Sequence, residues 1–140
     1  IYSTSLSPST TASLIAAVDI AEDEKHRREN LWKVTNYLRE GLQAQGYHTG
    51  PSESPIIPVI LDDEASMFEM VLGLDQDDIF ASPVIYPACP KKEPRVRISL
   101  NAEHSIADMD KVLDSFERHG RRLGLRHWSN AYLAAHAARV

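Results

Sequence analysis

Apolar residues recur along this chain at helical spacing, then at strand spacing, then at helical spacing again. Leu14, Ile15 and Val18 follow Ser7-Pro8 and share one side of a helix. Serine offers an oxygen to the free amides of a helix start, and proline suits the first helical position. Past a charged stretch from Glu22 to Glu29, Leu31, Val34, Leu38 and Leu42 form a second stripe. Gly46 is a stop, since glycine readily takes the left-handed conformation that ends helices. The pattern leaves open whether this is one long helix or two broken near Asp23. Ser54-Pro55 then precedes Ile56-Ile57-Pro58-Val59-Ile60-Leu61, a β-branched run that predicts a strand, with Pro58 pointing to an edge or a bulge.

Asp62-Asp63 can cap a third helix, with Met67, Met70, Val71 and Leu74 on one face. A short strand is predicted from Phe80 to Ile85. The loop Tyr86-Pro87-Ala88-Cys89-Pro90, stiffened by its prolines, leads into a third strand. Ser105-Ile106-Ala107-Asp108 resembles a capping box with aspartate in the acid position. It opens a helix whose stripe is Ile106, Met109, Leu113 and Phe116, whose C-terminal end carries Arg118, Arg121 and Arg122, and which Gly124 ends. Residues 128–140 are expected to add one short, alanine-rich helix. The order helix, helix, strand, helix, strand, strand, helix predicts an α+β fold: a small, mostly antiparallel sheet packed against helices.

The third strand is the chemically suggestive one. In Pro94-Arg95-Val96-Arg97-Ile98-Ser99-Leu100, period two puts Val96, Ile98 and Leu100 on one face and Arg95, Arg97 and Ser99 on the other. A planar guanidinium bonds both oxygens of a carboxylate at once, which an ammonium cannot do. The plain alternative is a solvated strand face.

Composition narrows the classes. At 140 residues and 43% apolar content the chain is one domain or one piece of a larger protein. Its net charge of -5 and the lack of a dominant basic patch argue against nucleic acid. The single Cys89 excludes an internal disulfide framework and fits a reducing compartment. Between two prolines and with no local basic partner, it reads as an inert thiol. No apolar run approaches the roughly 20 residues of a membrane span. These features predict a soluble cytoplasmic domain. The six histidines show no metal-ligand spacing, and no metal is expected. The opening Ile1-Tyr2-Ser3-Thr4, without methionine, reads as the middle of a longer sequence.

Three motifs in order resemble the C-terminal part of the α-oxoamine synthase family, from Ile1 to about Leu125. They are Ile1-Tyr2-Ser3-Thr4-Ser5-Leu6-Ser7-Pro8, then Ser54-Pro55-Ile56-Ile57-Pro58-Val59, then Arg95-Val96-Arg97-Ile98 with Ala102-Glu103-His104-Ser105. The resemblance implies the small domain of an aspartate-aminotransferase-fold enzyme that uses pyridoxal 5'-phosphate (PLP). Such enzymes condense an amino acid with an acyl-CoA, release carbon dioxide, and work as homodimers. It implies that Ser3 and Thr4 reach the cofactor phosphate of the neighbouring subunit, and that Arg97 holds the substrate carboxylate. Arg95 is expected in a salt bridge or in solvent. Ala88 stands at a substrate-contacting position where several members carry threonine and serine palmitoyltransferase-like ones can carry alanine. Ile85, where some members have arginine, and Lys92-Glu93, where a glycine is usual, leave serine, alanine and glycine all open as substrates.

The division expected is a small domain over 1–125 and a helical tail over 126–140. No catalytic residue is expected within the chain. The cofactor-anchoring lysine, the aspartate that pairs with the pyridine nitrogen and the histidine stacked on the ring belong upstream in the family. Alone, the chain is therefore expected to be inactive. Two alternatives stand beside this reading: a non-catalytic dimerisation or regulatory module of the same fold, and a related aminotransferase.

Overall fold

The computed structural model describes residues 4–125. The predictions for Ser3 and for the 126–140 tail lie outside the described residues. The elements run α1 (Pro8–Asp23), α2 (Lys25–Ala44), β1 (Ile56–Ile60), α3 (Glu64–Gln76), β2 (Ser82–Val84), β3 (Arg95–Ser99) and α4 (Ile106–Leu123). This is the predicted order.

Local chemistry sets most of the boundaries. Ser7 caps α1 by accepting from the Thr10 amide at 3.1 Å, with Pro8 in the first turn. The question left open between one helix and two resolves as two: Glu24 sits at φ -93, ψ 62, outside helical space. Asp63 caps α3 by accepting from the Ser66 amide at 2.8 Å, and those bonds hold its carboxyl below the usual carboxylate range. Ser105 and Asp108 form both halves of the capping box of α4, and Gly124 ends that helix at φ 71. β2 is shorter than the predicted Phe80–Ile85 strand. The Ile85 carbonyl turns to accept from the Ala88 amide at 2.9 Å, and Pro83 has no amide for a ladder.

The strands form one antiparallel sheet in the order β1-β3-β2. β1 is an edge strand, which is where its Pro58 can be accommodated. In register, Ile57 lies opposite Ile98 and Val59 opposite Val96. All four are buried, and they meet Val34, Leu38 and Leu42 of α2, Met67, Met70 and Leu74 of α3, and Met109, Val112 and Phe116 of α4. Helices thus cover one face of the sheet. The approach of α4 is close enough that a Cβ on Gly120 would lie 1.9 Å from the Tyr47 hydroxyl. That hydroxyl donates to the Phe116 carbonyl at 2.7 Å, and the two rings meet edge to face with centroids 5.3 Å apart. In the α4 stripe, Val112 is buried and the predicted Leu113 only half-buried.

α1 behaves differently. It buries no residue, and Leu14, Ile15, Val18 and Ile20 are all exposed. The predicted stripe exists, but no described element covers it.

Candidate functional site: the open face of the sheet

β3 is the central strand, held by ladders on both sides, so its backbone is a fixed platform. Its alternation sends Val96 and Ile98 into the core and leaves Arg95, Arg97 and Ser99 on the opposite face. The two arginines end up in different states. The Arg95 side chain folds back on the preceding loop: Nε donates to the Glu93 carbonyl at 3.1 Å, and an Nη donates to the Glu93 carboxylate at 2.9 Å. It is half-buried and neutralised, one of the two outcomes expected for it. Arg97 is exposed and, among the described residues, its side chain pairs with no carboxylate and makes no hydrogen bond. Its cross-strand neighbours are Pro58 and Ser82, both compact and uncharged. They leave the guanidinium open above the sheet. A cation with five fixed donors on a rigid strand, and no partner of its own, suits a carboxylate ligand.

Ala88 belongs to the loop that joins β2 to β3, so the fold places it and Arg97 on one hairpin, and it is exposed. Cys89 next to it is buried, its thiol 3.4 Å from the Val84 carbonyl, which pins the loop to β2.

Thr4, also exposed, lies three residues before the cap of α1. No hydrogen bond among the described residues links that helix start to the β2–β3 hairpin. The first turn of α1 holds no acidic residue, and Ser7 lies within 2.9 Å of the Ser9 hydroxyl and 2.8 Å of the Thr10 hydroxyl. Neutral hydroxyls and free amides at a helix start fit a phosphate. The part of the site that would hold a cofactor ring is another matter. All five lysines (Lys25, Lys33, Lys91, Lys92 and Lys111) are exposed, with none desolvated as an anchoring lysine needs to be.

The Ala102-Glu103-His104 motif acts as a brace. Asn30 of α2 donates to the Ala102 and His104 carbonyls at 2.7 and 3.0 Å, and Arg27 pairs with Glu103. This fixes the turn that follows β3. His104 accepts the Asn101 amide on Nδ1 at 3.2 Å, a structural role.

One polar cluster escaped the sequence reading. Asp77, just past α3, accepts from Ser115 at 2.5 Å and from Arg118 at 3.0 Å, and lies 3.0 Å from His119 Nε2. The Ser115 hydroxyl, followed by His119 and Arg118, holds its carboxyl down to about 2, against the cost of burial. His119 Nδ1 is buried without a partner, and a Cβ on Gly73 would lie 2.5 Å from it, so no substrate reaches that nitrogen. The cluster fastens α3 to α4 in the helix layer, across the sheet from Arg97. The spacing of Ser115 and His119 marks one face of α4, but Asp77 lies 38 residues before Ser115 and no local signal joins them. Among the described residues, no three metal-ligating side chains converge.

Comparison with known proteins identifies the family and the fold. The model of the family described as aminotransferase class I and II matches residues 1–116. An 8-amino-7-oxononanoate synthase from Symbiobacterium thermophilum is 38% identical over 125 residues, covering 89% of this chain and 32% of that protein. A serine palmitoyltransferase from Sphingobacterium spiritivorum is 35% identical over 117 residues, covering 84% of this chain and 29% of its own length. The solved structure of a Sphingomonas wittichii serine palmitoyltransferase superimposes with a TM-score of 0.83 at 32% identity, covering 90% of this chain and 32% of that one. A variant serine palmitoyltransferase from S. paucimobilis with bound PLP gives a TM-score of 0.82 at 30% identity, with 89% and 32% covered. The chain therefore spans about a third of the length of the relatives it matches.

Proposed function

This chain belongs to the class I and II aminotransferase family, with its relatives in the α-oxoamine synthase branch, and we propose that it forms the C-terminal small domain of a PLP-dependent acyl-CoA:amino-acid C-acyltransferase. The domain runs over residues 1–125, and 126–140 is an appended tail. The observation that carries this reading is Arg97: an unpaired guanidinium on the central strand, on a fold shared with these enzymes.

Arg97 binds the carboxylate of the amino-acid substrate through two parallel N–H donors. A two-point grip fixes rotation about the substrate's Cα bonds and so helps select which bond can break. Ala88, on the loop that follows β2, leaves room beside the substrate side chain where a larger residue would narrow the site. Thr4, with Ser3, donates hydroxyls to the cofactor phosphate of a second copy, so the working unit is a homodimer. PLP, when bound, supplies the electron sink for the bond that breaks. The chain lacks a lysine suited to anchor that cofactor, so by itself it is inactive.

The test uses the full-length protein. Arg97→Ala removes a charge-assisted bidentate contact worth about 2–3 kcal/mol, which predicts a roughly 100-fold rise in KM for the amino acid. Cofactor content, read from its absorbance, stays at the wild-type level. An unchanged KM would remove Arg97 from the site. Carbon dioxide and free CoA as products, rather than a keto acid, would separate the acyltransferase from an aminotransferase.

A further inference from the structure

The two arginines of β3 stand in unlike rows of the sheet. Arg97 lies between Pro58 and Ser82, with its side chain exposed and unpaired among the described residues. Arg95 lies between Ile60 and Val84 on the same face. Ile60 is buried, and the chain at Gly50 comes down over it, so that a Cβ on Gly50 would sit 3.9 Å from its Cδ1. A cation in such a row is partly stripped of water, and an uncompensated charge there is costly. Glu93 compensates it. Its carboxylate accepts from an Arg95 Nη at 2.9 Å, and its carbonyl accepts from Nε at 3.1 Å. The two side chains are 22% and 31% exposed, so water and salt screen this pair less than a surface pair.

The direction of the pairing matters as much as its charge. Glu93 precedes β3, so it draws the Arg95 guanidinium toward the loop and away from Arg97. The two arginines are two residues apart on one strand, about 7 Å. A guanidinium released from Glu93 has the length to swing forward over that distance. It would meet the side-chain carboxylate of an aspartate or glutamate whose α-carboxylate sits on Arg97.

We propose that Glu93 is a specificity-determining residue. By holding Arg95 it leaves Arg97 as the cation that the open face of β3 presents. The site then accepts an amino acid with one carboxylate, and a second carboxylate finds no cation to offset its lost water. Glu93 touches no substrate and acts through the position and charge of Arg95. The inference rests on the role proposed for Arg97 above and adds what decides between mono- and dicarboxylic amino acids.

Calorimetric titration of the full-length, PLP-loaded protein tests this, with L-aspartate as one probe and whichever of serine, alanine and glycine it binds as the other. Glu93→Gln keeps the carbonyl contact and the size of the side chain. It should strengthen aspartate about tenfold, a gain that shrinks with added salt, and leave the neutral amino acid within about twofold. Adding Arg95→Gln to that variant should abolish the gain. Unchanged aspartate affinity in Glu93→Gln overturns the proposal. So does a gain that survives Arg95→Gln, which would reduce the effect to the loss of a nearby negative charge. An equal change for aspartate and the neutral amino acid also overturns it, since the loop would then have changed shape. Each of these failures leaves the Arg97 prediction standing, whereas normal binding of the neutral amino acid in Arg97→Ala removes the clamp on which both readings depend.

Discussion

On its helix side the sheet presents Ile57, Val59, Val96 and Ile98 to α2, α3 and α4, and all four are buried. On the other side the same strands present Ile56, Arg97 and Ser99 to solvent. α1, with Leu14, Ile15 and Val18 exposed, joins no core within the described residues. The covered side is finished by this chain's own side chains, with Asp77 engaged by Ser115, Arg118 and His119. The open side keeps a guanidinium unpaired, and α1 keeps an apolar face bare. Stability is concentrated in the first region and the proposed binding chemistry in the second, so substitutions in the two should be read out by different measurements.

The largest effect is expected on the covered side. Phe116→Ala removes a fully buried ring from the centre of the core and should cost about 3–5 kcal/mol by chemical denaturation. Gly120→Ala also belongs here, because the new Cβ meets the Tyr47 hydroxyl; a clear drop in the unfolding midpoint is expected. A smaller effect, with a pH signature, is expected at Asp77. Its folded-state pKa of about 2 lies below the ordinary 3.8, so the stabilisation is fully present above 3.8 and is lost as pH falls through 2. Asp77→Asn should lower the unfolding midpoint at pH 7, and the gap from wild type should narrow below pH 4. A constant gap down to pH 2 would mean that the charge is not what fastens α3 to α4. Smallest of all should be Leu14→Ala on α1. With half of its surface already in water, it should leave the unfolding midpoint of this chain within error, and a large drop would show that α1 is covered after all.

The sequence conveyed features whose causes are local. The Ser7, Asp63 and Ser105 caps, the stop at Gly124 and the edge position of Pro58 each follow from one or two residues. The different fates of Arg95 and Arg97 were half legible. Period two put both on the open face, but only the fold shows that Glu93 takes one and that Pro58 and Ser82 leave the other free. Features set by distant contacts were not legible. Asp77 meets Ser115, Arg118 and His119 only because α3 packs on α4. The stripe on α1 has the spacing of a buried face, and spacing cannot say what buries it. β2 fell short of its apolar run because the Ile85 carbonyl is drawn into a turn.

The proposed role of Arg97 has the open face hold the substrate carboxylate through that residue and not through its neighbour. Calorimetric titration of the full-length, cofactor-loaded protein with its amino-acid substrate, in Arg97→Ala, Arg97→Lys and Arg95→Ala variants, tests it most directly. A loss of roughly 100-fold is expected for Arg97→Ala, an intermediate loss for Arg97→Lys, which keeps the charge without the fork, and little change for Arg95→Ala. Equal losses at both arginines, or none at Arg97, would contradict it.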